Sequence, residues 1–245
     1  MLELVDLVKH YRVGDGEPVR AVDGVSLTVG PGELVVLYGP SGSGKTTLLM
    51  LIAALLRPDR GSVRVAGREI TALSKRDAAR YRRQELGFVR QSLDLIPGVR
   101  TGDNAALKLF GAHGPREARR LVTPLLERLG LGERLGHRAE QLSMGERQRV
   151  MIARALSTGP SLVLADEPTG SLDTQRGREV LELLREVCRE QRVATLLVTH
   201  DPRAAAYADR VHALCDGHLT EHEPGREFVP VPSAEAGACE PGSAS

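Results

Sequence analysis

The sequence has no tryptophan, and three phenylalanines and four tyrosines are its only aromatic residues. The arginines Arg80, Arg82 and Arg83 therefore lack interleaved aromatics of the kind a base-stacking surface uses, and they read as a solvated helix face. Neither sign of charge is in excess. With 33 basic and 32 acidic side chains the net charge is +1, so bulk charge recruits no polyanion, and nucleic acid is not implied as a partner. Cysteine is scarce as well. Cys188, Cys215 and Cys239 are far apart, odd in number and without metal-ligand spacing, which excludes a disulfide framework and leaves them inert. No apolar run reaches the roughly 18 to 20 residues that a membrane span requires. The opening Met1-Leu2-Glu3-Leu4-Val5-Asp6 has no basic stretch leading into an apolar core, so the expectation is a chain that stays in the cytoplasm. Its 245 residues suffice for a substantial core, as one large domain or a domain with a subdomain.

What is present centres on Gly39-Pro40-Ser41-Gly42-Ser43-Gly44-Lys45-Thr46-Thr47. The apolar run Leu34 to Tyr38 precedes it and Leu48 to Leu56 follows, giving strand, glycine loop and helix, the context a phosphate-binding loop needs. Glycines let successive backbone N–H groups turn inward on phosphate oxygens at the positive end of the following helix. Lys45 adds a point charge for the β and γ phosphates, and the Thr46 hydroxyl is placed to ligate the Mg²⁺ that bridges them.

Short strand-like alternation at residues 2 to 7 and 20 to 29, separated by Gly14-Asp15-Gly16-Glu17-Pro18, predicts an antiparallel β layer at the start of the fold. A strand and hairpin at Ser62 to Ala66 and Gly67-Arg68 closes it. Leu86 to Arg90 is a short strand ending at Gln91, after which helical patterns run to about residue 158. Within them Ala118, Leu121, Val122, Leu125, Leu126 and Leu129 share an amphipathic face. Pro124 interrupts it, and an interior proline costs about 3 kcal/mol or bends a helix, so a kink or a restart is expected there. Ser161 to Ala165 and Val193 to Thr199 read as buried strands, with a helix over about 174–190 between them. On that helix Val180, Leu184, Val187 and Cys188 share a face, which makes Cys188 core rather than reactive. Residues 222 to 245 are rich in Pro, Gly, Ala, Ser and Glu and read as a disordered tail. Strands alternating with helices around a phosphate loop give an α/β core with a parallel sheet.

Asp166-Glu167 closes the first of these apolar strands, Ser161 to Ala165, at the C-terminal end where open α/β sheets place their ligands. Neighbours on a strand point to opposite sides, so the two carboxylates divide the work: Asp166 to the Mg²⁺ shell, Glu167 to activating the attacking water.

Leu142-Ser143-Met144-Gly145-Glu146-Arg147-Gln148-Arg149, followed by Leu162 to Pro168, resembles the signature motif and Walker B segment of the ABC-type ATPases. The rest of that family's set matches in order. Tyr11 stands at the adenine-stacking position, Gly39 to Thr47 at Walker A, Gln91 at the Q-loop, Ser171-Leu172-Asp173 at the D-loop and His200 at the switch histidine. The resemblance covers residues 1 to about 220. Gly87-Phe88-Val89, the run Ala165 to Asp173 and Thr199-His200-Asp201-Pro202 look most like its lipoprotein-release, macrolide-export and cell-division branch. It implies a P-loop NTPase core over residues 1–221, with an N-terminal antiparallel β subdomain and an α-helical subdomain inserted over about 92–158. Lys45, Gln91, Glu167 and His200 would act on ATP, and Thr46, Gln91 and Asp166 would hold Mg²⁺. The nucleotide would touch Tyr11, the loop from Gly39 through Pro40, Ser41, Gly42, Ser43 and Gly44 to Thr47, and Ser143, Gly145, Glu146 and Asp173 across a head-to-tail dimer. The pair would drive a separate integral membrane permease from the inner face of the membrane.

The chain departs from the family pattern at three places. Met144 replaces a usual glycine, Glu146 a frequent glutamine, and Arg90 an apolar residue. Met144 adds bulk and Glu146 negative charge near the γ-phosphate, which predicts a weaker closed ATP state. Leu93, Leu95, Ile96 and Pro97 fit either core or an apolar groove for a membrane subunit. His10, His113, His137, His212, His218 and His222 show no ligand spacing and read as surface residues. The rivals are a soluble ATP switch of the same superfamily acting on ribosomes or DNA, and a binding-only adaptor. The first usually carries two modules or a long coiled-coil insertion, and Lys45, Glu167 and His200 argue against the second.

Overall fold

A computed structural model describes residues 1–12, 18–92, 94–170 and 172–222. Of the expectations above, Leu93, Ser171, Cys239, most of the turn from Gly14 to Glu17 and the tail beyond His222 lie outside the described residues. Strands β1 (Leu2–Tyr11), β2 (Val19–Val29), β4 (Arg60–Val65) and β5 (Arg68–Glu69) form an antiparallel sheet in the order β2-β1-β4-β5. A second sheet is built from β3 (Leu34–Tyr38), β6 (Leu86–Val89), β7 (Leu162–Asp166), β8 (Ala194–Val198), β9 (Arg210–Cys215) and β10 (His218–His222). Its order is β10-β9-β3-β8-β7-β6, parallel throughout except for the edge strand β10. The β9–β10 hairpin goes beyond the expected elements. Its turn is Asp216-Gly217 with φ of 48° and 80°, the doubly left-handed geometry that two-residue hairpins favour.

The parallel sheet is covered on both faces, which is why β3, β7 up to Ala165 and all of β8 but Thr195 are apolar. Along β3, Leu34, Val36 and Tyr38 enter one apolar cluster while Val35 and Leu37 enter the other. The first cluster joins the sheet to α5 (Met144–Leu156), α6 (Thr174–Glu190) and α4 (Pro115–Arg128). The second is closed by α1 (Lys45–Ile52), α2 (Lys75–Gln84) and the antiparallel sheet. Helices α3 (Thr101–Ala106), α4 and α5 occupy the interval between β6 and β7.

Several local expectations need correction. Helix α1 stops at Ile52 and does not run through Leu56. Ala54 turns left-handed at φ 50°, and the Ala54 and Leu55 N–H groups bond back to the Leu51 and Met50 carbonyls. That is the Schellman ending, which the sequence conceals because alanine stands where glycine is usual. Arg82 is not part of a solvated face: its Nη1 donates to the Ala54 carbonyl at 2.9 Å and so helps close the same helix end. His212 is buried, because β9 has neighbours on both sides. Its pKa is lowered by burial first and by Arg210 next. Cys188 is core as expected, its thiol pushed up to about 11 by burial.

Helix α4 continues through Pro124, so no restart occurs. Ala118, Val122 and Leu126 hold one face against the core, and this packing outweighs the lost bond to the Arg120 carbonyl. Pro124 itself is exposed. Replacing it by alanine restores a helical N–H at no packing cost, so Pro124→Ala should raise stability by about 1–3 kcal/mol in urea unfolding. An unchanged or lowered midpoint would show that the proline is accommodated without cost.

Candidate functional site

Strand β3 delivers the glycine loop and α1 begins at Lys45, directly behind it. The loop is wedged between β2 and β9. A Cβ on Gly44, where φ is 101°, would lie 1.8 Å from the Ala21 carbonyl oxygen, and one on Gly39 would lie 2.3 Å from that of Leu214. Neither position admits a side chain. Within the loop the Ser43 N–H donates to the Pro40 carbonyl at 3.2 Å, and Ser43 is buried while Pro40, Ser41 and Gly42 are exposed. Lys45 Nζ donates to the Gly39 and Pro40 carbonyls, each at 2.7 Å. Burial lowers its pKa, opposed by the charges of Glu167 and Asp166. Thr46 is exposed and Thr47 half-buried in the first turn of α1.

The two carboxylates arrive on β7 beside the same strand that neighbours the loop. In the register, Val198 of β8 pairs with Leu37 of β3 on one side and with Asp166 of β7 on the other. The three chain segments therefore leave the sheet at one level. Strand alternation is not what separates Asp166 from Glu167, which corrects the expected reason. Glu167 lies past the strand end with φ 48°, its N–H bonded to the Val198 carbonyl at 2.8 Å, and this left-handed turn redirects its side chain. Its carboxylate is then held by two groups. Thr199 Oγ1 donates to Oε2 at 2.9 Å, and His200 Nδ1 donates to Oε1 at 2.7 Å. The Glu167 side chain is 13 % exposed against 72 % for His200, so the histidine faces outward from a fixed carboxylate. Asp166 has its pKa raised, first by burial and then by the Glu167 charge, with Lys45 and Arg90 acting the other way. Thr199 was given no role from the sequence. The signal was a hydroxyl residue ending an apolar run just before His200, and the fold buries it fully.

Gln91 follows β6 and is exposed, with its Nε2 3.5 Å from where a Cβ on Gly170 would stand. That places it beside the turn after Glu167. Asp173 caps α6, accepting from the Arg176 N–H at 2.9 Å. Ser143, Gly145 and Glu146 form a second centre at the head of α5, which opens at Met144. The Glu146 N–H donates to Ser143 Oγ at 3.3 Å and the Ser143 N–H to Glu146 Oε2 at 2.7 Å, a complete capping box. Arg134 Nε donates to the other carboxylate oxygen at 2.9 Å. The Glu146 charge is thus turned back on its own helix and neutralised. Met144 is exposed. A Cβ on Gly145 would stand 3.7 Å from Arg176 Cδ, so the centre adjoins the start of α6. Tyr11 ends β1, paired with Val19, and Lys9 Nζ lies 5.8 Å from its ring centroid.

A phosphate loop at the end of a central parallel strand, with a strand-end carboxylate pair beside it, defines a P-loop nucleoside triphosphatase. A family model described as "ABC transporter" matches residues 22–170. The chain belongs to that family, as its ATP-binding cassette. It is 47% identical over 220 residues to a lipoprotein-releasing system ATP-binding protein, LolD 2, of Caulobacter vibrioides, covering 89% of this chain and 96% of that one. It is 42% identical over 237 residues to a macrolide export ATP-binding/permease protein, MacB, of Marinobacter nauticus, covering 96% of this chain and 36% of that one. The chain thus spans about a third of the length of the MacB relatives it matches and nearly all of the LolD ones. Among solved structures it superposes on the ATP-binding cassette MJ0796, a dimer in a post-hydrolysis state bound to ADP and Pi. The TM-score is 0.79 at 34% identity, covering 90% of this chain and 98% of that one. These relatives support the transport reading, not the ribosome or DNA switch.

The pKa of Glu146 is lowered from 4.5 to about 2, chiefly by the Ser143 N–H, with Arg134 adding to it. A carboxylate depressed in the folded state stabilises it above its unfolded pKa, and that contribution disappears as pH falls from about 4.5 towards 2. Glu146→Gln should therefore flatten the acid-unfolding curve over that window while leaving the curve above pH 6 parallel to that of the parent. Curves of equal steepness in the acid window would remove Glu146 from the account.

Proposed function

We propose that two copies of the chain close head to tail on ATP and that its hydrolysis drives a separate membrane permease. The observation that carries this is the Glu167 carboxylate, fixed by Thr199 and His200 and coupled electrostatically to Lys45 of the phosphate loop. A carboxylate held in one orientation beside a phosphate cradle suits a general base for an attacking water. Lys45 and the loop N–H groups take the β and γ phosphates, and His200 keeps Glu167 aimed and faces the γ-phosphate. Tyr11 stacks on adenine.

The residues present fit Mg²⁺. Among the described residues no cluster of three or more His, Cys, Asp or Glu is built to hold an ion, so a cation here would need hydroxyl, amide and phosphate oxygens as well. Thr46, Asp166 and Gln91 supply such a set, and the raised pKa of Asp166 marks a carboxylate that its own surroundings leave under-neutralised. When bound, Mg²⁺ neutralises charge developing on the β and γ oxygens.

One nucleotide has no use for two anion-binding centres in one chain. The head of α5 with Ser143 and Gly145 is best used on the ATP of a second copy, and Asp173 at the head of α6 flanks it. No helix among the described residues is long and apolar enough to cross a membrane, which fits a peripheral subunit on the inner face with the permease as partner. The names of the relatives span lipoprotein release and the export of macrolides and pyoverdine, so substrate choice is assigned to the permease.

Glu167→Gln should keep ATP binding and lose about 10²- to 10⁴-fold in phosphate release. Thr199→Val, which deletes one hold on the carboxylate, should lower turnover by a smaller factor with ATP affinity unchanged. Undiminished hydrolysis in the first variant overturns the assignment of the base. Tagged Glu167→Gln, incubated with ATP and Mg²⁺ and recovered from solubilised membranes, should bring down a multispan protein. Ribosomes or soluble partners in its place would replace the permease by an ATP switch.

A further inference from the structure

We propose that Arg154 and Asn104 are positioning residues that fasten the segment after Gln91 to the helix headed by Ser143, so that one nucleotide site sets the geometry offered to the other. The proposal rests on the reading above, in which Gln91 serves a chain's own ATP and Ser143 that of the second copy.

Asn104, in α3, is wholly buried and fully engaged. Its Oδ1 accepts from the Ile96 N–H at 2.8 Å and from Arg154 Nη2 at 2.7 Å. Its Nδ2 donates to the Ile96 carbonyl at 3.2 Å and to the Val99 carbonyl at 3.1 Å. Both lone-pair positions and both amide protons are therefore used, the most a primary amide can do. Arg154, in α5, divides the rest of its fork between α3 and the 94–99 segment: Nε donates to the Asn104 carbonyl and Nη1 to the Asp94 carbonyl, each at 2.8 Å. A third hold comes from Glu140, just before α5, whose Oε1 accepts from the Gly98 N–H at 2.6 Å.

The segment from Asp94 to Val99 is thus pinned along its length to α3 and α5, although it has no regular structure of its own. At its other end it is continuous with Gln91 at the turn after Glu167, and Asp94 Oδ2 receives Ser92 Oγ at 2.8 Å and Arg90 Nη1 at 3.4 Å. Ser143 stands at the opposite end of the same helix as Arg154, about 16 Å away at 1.5 Å per residue. Val150, Ile152 and Ala153 of that helix are buried, so it moves as a rod or not at all. A displacement of Gln91 towards its own nucleotide is then carried by the 94–99 segment through the Asn104–Arg154 bonds into α5, and arrives at Ser143 as a change of position. A guanidinium is needed because three separate acceptors are bonded from one rigid plane.

The test uses the full chain in the Glu167→Gln background, where ATP binds without turnover. Amide hydrogen exchange is followed at residues 94–99 and 143–147 as ATP is titrated, with light scattering reporting the mass. The proposal expects both segments to become protected at one ATP midpoint, coincident with doubling of mass. In the Asn104→Asp and Arg154→Lys variants the two midpoints should separate by about 2- to 30-fold, the size of coupling that such networks carry. In the hydrolysing forms of the same variants the Hill coefficient should fall towards 1 while affinity for a fluorescent ATP analogue changes less than twofold. A merely structural role would lower melting temperature and affinity together and leave the midpoints coincident, which overturns the proposal. Separate midpoints in the parent with the mass doubled overturn the coupling and leave the dimer intact. No doubling of mass overturns the dimer and the coupling with it. If the variants fail to fold, the parent titration alone decides.

Discussion

The nucleotide end of the molecule depends on β8 running between β3 and β7. Because Val198 is level with both Leu37 and Asp166, the phosphate loop, the carboxylate pair and the Thr199-His200 segment all emerge at one height from hydrogen-bonded neighbours. None of these segments could be placed by its own sequence. A slip of two residues in either ladder would move Glu167 relative to Lys45 by more than 6 Å, since strands rise about 3.3 Å per residue. The two apolar clusters that sandwich the sheet hold that register, so the core's contribution to function is alignment as much as stability.

The helical half follows a different rule. The centre proposed there lies at a helix head rather than a strand end, and local caps and pairs add to the apolar packing of α5 in setting its geometry. Glu146 shows how this changes the meaning of a residue. From the sequence it is a negative charge close to where a phosphate belongs. In the fold it is a structural group, committed to the Ser143 N–H and to Arg134. Its N–H in turn engages a lone pair of the Ser143 hydroxyl, which leaves the hydroxyl proton free to be given to an anion.

What was legible in the sequence was whatever local chemistry forces. The glycine loop, the apolar strands around it and the Asp166-Glu167 pair could be read because each needs particular residue types in a row, whereas Gln91, Ser143 and His200 were placed by the resemblance to the ABC-type ATPases. The helix end at Ala54 was not legible, because a left-handed alanine is tolerated only where backbone bonds compensate it. At Pro124 the sequence left a kink or a restart open, and packing of Ala118, Val122 and Leu126 carries α4 through without a restart. The β9–β10 hairpin had a readable Asp216-Gly217 turn, but its strands carry Arg210, His212 and Glu221, polar residues that bond to one another only once the hairpin has formed. Thr199 and Asn104 belong to a third class. Each is an ordinary polar residue until the fold brings an acceptor to it.

Tyr38, the last residue of β3 and wholly buried, donates its hydroxyl to the Pro202 carbonyl at 3.0 Å. The strand that carries the phosphate loop is therefore tied to the chain just beyond His200. That bond restrains the backbone between the two, while the His200 ring itself stays exposed. The entropy of ordering this half is lost once, during folding, and not again at each turnover.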